Sequence, residues 1–183
     1  MKIHTTPLSG MRFIELDWRN DSRGGFARLF CERELADILG ARRIVQANYS
    51  LNEHIGSIRG MHFQHPPHSE MKFVVCVRGA VWDVAVDLRS NSATYLRWYG
   101  LKLSAEGRTM VVIPEGFAHG FQVIVPGSEL IYFHTATYAP ASEEGLRYDD
   151  PALGINWPIT VGEVSVRDRN FALIDKSFTG VKL

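Results

Sequence analysis

An all-β antiparallel barrel or jelly roll, with only minor short helices, is the fold class this sequence predicts. Short strand-like segments dominate, turn signals separate them, and a single stretch makes a fair helix. That helix is expected over residues 32–39, where Leu35 and Leu39 lie one turn apart and Gly40 supplies the stop. MKFVVCV then reads as a strand rich in β-branched residues. VWDVAVDL, residues 81–88, alternates with period two: Trp82, Val84, Val86 and Leu88 share one face, Asp83 and Asp87 the other. TMVVIP, GFQVIV and ELIYFHTATY follow in the same style, with turns signalled at Arg78-Gly79, Glu115-Gly116 and Pro126-Gly127. A barrel is lined by every second residue of each strand, so function is sought in polar residues on otherwise apolar strands.

The 183 residues suit one domain spanning the whole chain, with 45% hydrophobic and 22% charged residues. A formal net charge of zero argues against nucleic-acid binding but leaves room for a small anionic ligand held by local arginines. Cys31 and Cys76 form neither a disulfide framework nor a CxxC pair. The sequence MKIHTTPLSG lacks a signal core, and no apolar run approaches the ~18 residues of a membrane span. A cytoplasmic protein without a membrane partner is expected.

Several residues look out of place. Lys72 shares a strand face with Val74 and Cys76; it either snorkels from a strand end or is buried for a reason. His62, in IRGMHFQ, is a structural histidine or a catalyst. Strict alternation sets it opposite Arg59, unless Gly60 marks a bulge that re-aims one side chain. Tyr132, His134 and Tyr138 share one parity, as a cross-strand aromatic stripe would. His119, in IPEGFAHGFQ, is similar in spacing to the second half of the cupin signature, where histidine binds metal. No His-x-His occurs, however, and His62, His65 and His68 are spaced by threes, which sends strand side chains to both faces. No metal is expected.

Together, DSRGGFARLF, VQANYSLN, IRGMHFQ, SEMKFVVCVRGAVWDVAVDLR, IPEGFAHGFQ, IYFHTATYAP, LRYDDPALGINWP and VSVRD resemble the dTDP-4-dehydrorhamnose 3,5-epimerase family, from about Asp21 to Asp168. The resemblance implies a homodimeric double-stranded β-helix, a cupin without its metal or any cofactor. It also implies a nucleotide-diphosphate sugar substrate, a 4-keto-6-deoxy sugar inverted at C3, C5 or both. By the same resemblance His62 is the base, Asp168 its partner, Tyr132 the opposed acid, and Lys72 and Arg59 hold the enolate and substrate. Arg23 matches a phosphate contact, and Gln46, Asn48, His119, Tyr138 and Glu143 match other substrate-contacting positions. Arg167 stands where lysine is usual, and Arg28 where the family often has a substrate-contacting glutamate. The competing expectations are a metal-dependent cupin isomerase or dioxygenase, and a non-catalytic sugar-nucleotide-binding cupin.

Overall fold

In the computed structural model, which describes residues 1–183, strands follow one another with two four-residue helices among them. The strands are β1 Lys2–Thr5, β2 Arg12–Glu15, β3 Trp18–Asp21, β4 Gly24–Ala27, β5 Gln46–Asn52, β6 Ile58–Gln64 and β7 Lys72–Arg78. They continue with β8 Ala80–Asp87, β9 Trp98–Ser104, β10 Thr109–Ile113, β11 Phe117–Val123, β12 Ser128–His134 and β13 Glu143–Gly145. The helices are α1 Ala36–Leu39 and α2 Val166–Arg169. One antiparallel sheet has the order β1-β2-β10-β7-β12-β5, a second the order β13-β6-β11-β8-β9, and β3 pairs only with β4. No helix is long and apolar enough to cross a membrane.

The two large sheets face each other across one packed cluster. The first contributes Val74, Cys76, Val111, Ile113 and Leu130, the second Val81, Ala85, Phe117, Phe121 and Val123. Each sheet also buries its outer face. Phe73, Val75, Met110 and Val112 lie under Leu35 and Leu39 of the α1 region. Val84, Val86 and Leu88 lie with Leu146, Leu153 and Val181 of the C-terminal segments. The apolar face of β8 is therefore its outer one, and the face carrying Asp83 looks into the barrel. The helix expected over 32–39 is confined to its last turn; Leu35, Ile38 and Leu39 tie it to the sheet, and Gly40 ends it with φ +58°.

Gly60 breaks the regular alternation of β6. Across from β11, His62 pairs with His119 and Arg59 with Phe121, so three steps on β6 oppose two on β11. This is a bulge, and it turns Arg59 and His62 to one side. The close approach requires glycine: a Cβ at residue 60, where φ is +129°, would sit 2.5 Å from Gly120 Cα. Gly60→Ala is expected to destabilise the fold by about 1–3 kcal/mol, read as a lower urea midpoint, and to weaken any activity that needs both side chains.

Candidate active site

Inward-pointing polar residues of both sheets converge on a cavity of about 230 Å³. Its walls include Gln46 and Asn48 of β5, Arg59 and His62 of β6, Lys72, His119, Tyr132, and the loop residues Tyr138 and Glu143's side chain from β13. Alternation, with the bulge at Gly60, thus delivers from four strands the polar groups that looked anomalous in the sequence, Arg59 and His62, Lys72, His119 and Tyr132.

His62 and Asp168 meet although 106 residues separate them, with Nε2 2.8 Å from Oδ1. Asp168 lies in the first turn of α2, where its backbone N–H donates to Ser165 Oγ, and its Oδ2 accepts from the Gly60 N–H at 3.2 Å. Burial pushes this carboxyl upward, but the hydrogen bonds from His62 and Gly60 outweigh it, leaving Asp168 below its ordinary value. An ionised carboxylate only accepts, so Nε2–H of His62 donates to it and Nδ1 is left as the basic nitrogen. Because the folded carboxyl titrates below the unfolded value of about 3.9, it adds stability that is complete above that pH. That stability is lost as pH falls through the lower folded value. Acid titrations of stability should show a shallower loss below about pH 4 in Asp168→Asn than in the wild type.

Tyr132 faces the cavity from β12, on the sheet opposite His62, with its hydroxyl 3.3 Å from Ser50 Oγ. Burial pushes its hydroxyl pKa well above the ordinary tyrosine value. His119 packs edge-on to Tyr132, with ring centroids 6.4 Å apart, and its Nε2 lies 2.8 Å from the fully buried Asp83. Lys72 does not snorkel to solvent. Its side chain is 10% exposed, and Nζ lies 3.1 Å from Glu70 Oε1. Glu70 in turn accepts from His134 Nδ1 at 2.7 Å. Burial raises the Glu70 carboxyl, yet the bonds from His134 and Lys72 hold it below its ordinary value. Arg59 donates from Nε to Asn52 Oδ1 at 2.7 Å.

Three placements differ from a simple reading of the sequence. Arg23 and Arg28 do not reach this cavity. They lie on and just beyond the β3–β4 hairpin, which pairs only with itself; Arg23 is bound to Asp21 at 2.6 Å and Arg28 to Glu34. Tyr138 is not on β12, which ends at His134; it lines the mouth from the following loop, with its hydroxyl donating to Glu143 at 2.8 Å. Arg167 sits behind the rim, paired with Glu143 at 2.8 Å and with Nη2 3.0 Å from His62 Nε2. Sequence reasoning missed the buried partners Glu70 and Asp83, and it read His134 only as part of a stripe. The one available signal was the presence of Asp83 and His134 on otherwise apolar strands; Glu70, just before β7, gave none.

The dTDP-4-dehydrorhamnose 3,5-epimerase family model matches residues 5–176. The Salmonella typhimurium dTDP-4-dehydrorhamnose 3,5-epimerase is 35% identical over 97% of both chains. A dTDP-4-dehydrorhamnose 3-epimerase from Streptomyces niveus is 38% identical over 95% of this chain and 84% of its own. Among solved structures, the Legionella pneumophila dTDP-6-deoxy-D-glucose-3,5-epimerase in complex with dTDP-4-keto-L-rhamnose superposes with a TM-score of 0.92. It is 34% identical and aligns over 100% of this chain and 98% of its own.

Proposed function

The chain belongs to the dTDP-4-dehydrorhamnose 3,5-epimerase family, and from that premise we propose how its cavity inverts C3, C5 or both of a dTDP-linked 4-keto-6-deoxy sugar. The observation that carries the reading is the placement of the His62–Asp168 pair and Tyr132 on opposite sheets across one cavity. The C4 ketone acidifies the neighbouring C–H bonds, so a base near neutrality and a holder of enolate charge are both needed. His62 Nδ1 takes the proton, Asp168 fixes the tautomer and stabilises the imidazolium, and Lys72 meets the C4 oxyanion. One group cannot serve both faces of a ring. Tyr132 returns a proton from the far side, and its high pKa is no obstacle because the enolate carbon is strongly basic. The substrate's own carbonyl supplies the electron sink, so the scheme calls for no cofactor.

A non-catalytic binding module would not need an acid and a base opposed in this way. The direct test is NMR analysis of products after incubation with dTDP-4-keto-6-deoxy-D-glucose. Inversion at C3, C5 or both is expected, and failure to invert any of several 4-keto-6-deoxy sugar nucleotides would refute the reading.

We further propose a cytoplasmic homodimer in which the β3–β4 hairpin crosses to the other protomer. Its support is the 69% exposure of Phe26 on that hairpin, the exposed Tyr49 and Leu51 on edge strand β5, and the distance of Arg23 from its own cavity. In this arrangement Arg23 and Arg28 serve the diphosphate of the partner's substrate. Light scattering should give a dimer. Arg23→Ala should raise KM about 10-fold or more, as befits a lost charged hydrogen bond, with kcat little changed; a monomer, or an unaltered KM, contradicts the crossing.

A further inference from the structure

Lys72 and His134 are cross-strand partners in the β7–β12 register, and Glu70, just before β7, bridges their side chains. Lys72 Nζ has three N–H donors. One meets Glu70 Oε1 at 3.1 Å and a second points toward the His62 carbonyl oxygen at 3.4 Å, which leaves the third for the cavity. A single contact would let the carboxylate of Glu70 rotate. Its other oxygen is pinned at 2.7 Å by His134 Nδ1, and both side chains are only 9% exposed. The orientation of His134 is set in turn. Gln46 donates to Asn48 Oδ1 at 3.2 Å, which turns Asn48 Nδ2 toward His134 Nε2 at 3.3 Å. That nitrogen therefore accepts, and Nδ1 carries the proton toward Glu70.

We propose that Glu70 and His134 are positioning residues whose two-point clamp aims the Lys72 ammonium at the place where the C4 oxyanion forms. This deepens the epimerase reading and rests on Lys72 acting as the oxyanion partner. Glu70 and His134 border the cavity, but their polar atoms are committed to Lys72, to Asn48 and to each other, so both act through Lys72. Simple charge balance for a buried lysine would explain the Glu70 contact but gives His134 no part.

The test is a cycle of Glu70→Ala, Lys72→Met and the double variant, read as the rate of C3 and C5 hydrogen exchange with deuterated water and as KM. Misplacing the ammonium by about an ångström costs up to about 10²-fold. Glu70→Ala should therefore slow exchange on that scale while KM stays within about 3-fold of wild type, since uniform binding is untouched. The double variant should be no slower than Lys72→Met, because the clamp has nothing left to aim. His134→Phe keeps the ring beside Tyr132 and removes the bond to Glu70. It should slow exchange in the same direction, only when Lys72 is present, and it supplies the cycle if Glu70→Ala fails to fold. Losses that multiply in the double variants, or Glu70 and His134 variants at the wild-type rate, overturn the clamp but leave the epimerase reading standing. Wild-type exchange in folded Lys72→Met removes Lys72 from the chemistry, and the clamp with it.

Discussion

Replacing His62 by alanine is expected to slow both hydrogen exchange and inversion by about 10²–10⁴-fold, the largest loss of any single change in the cavity. The His62 ring is tied through Nε2 to the buried carboxylate of Asp168, which also accepts from the Gly60 N–H at the bulge. Removing the imidazole removes the proposed base and leaves the Asp168 carboxylate buried and without its main partner. Asp168→Ala should be less severe, since it costs orientation and imidazolium stabilisation but leaves a histidine in place. The comparison requires folded protein, which far-UV circular dichroism establishes. Near-normal exchange in folded His62→Ala would mean that another group abstracts the proton.

Tyr132→Phe should separate the two halves of the reaction. The phenylalanine keeps the ring that packs against His119 and the core, so only the hydroxyl and its contact with Ser50 are lost. His62 still abstracts a proton and can return one to the same face, so exchange without inversion persists. Inversion should fall by about 10²–10⁴-fold, as for loss of a positioned acid. A purely packing role predicts otherwise: unchanged inversion. In that event Tyr138, whose hydroxyl is already committed to Glu143 at the mouth, becomes the remaining tyrosine to test.

Much of the fold was legible because strand alternation is local. The segments containing Lys72, Val84, Val111, Phe121 and Tyr132 read as strands and are strands. What could not be read locally was which face looks inward. Trp82, Val84 and Val86 look like a core face, yet the C-terminal segments cover them on the outside, and Asp83 is the inner residue. Period-two reasoning also set Arg59 and His62 apart, and only the extra residue at the Gly60 bulge reunites them. The bonds from His134 and Lys72 to Glu70 depend on the pairing of β7 with β12, segments some sixty residues apart in the chain, such as Lys72 and His134. No periodicity encodes that register. The resemblance supplied roles for Arg23 and Arg28, but a role is not a location. Their hairpin pairs only with itself, and each arginine is matched by a nearby carboxylate.

In the proposed mechanism, inversion proceeds by proton removal and return between His62 and Tyr132. Deuterium labelling of the wild-type product tests it most directly. With dTDP-4-keto-6-deoxy-D-glucose in deuterated water, each inverted centre should carry one solvent-derived deuterium, seen by NMR as loss of the corresponding ring-proton signal. An inverted product that retains its original hydrogen at that centre would contradict it.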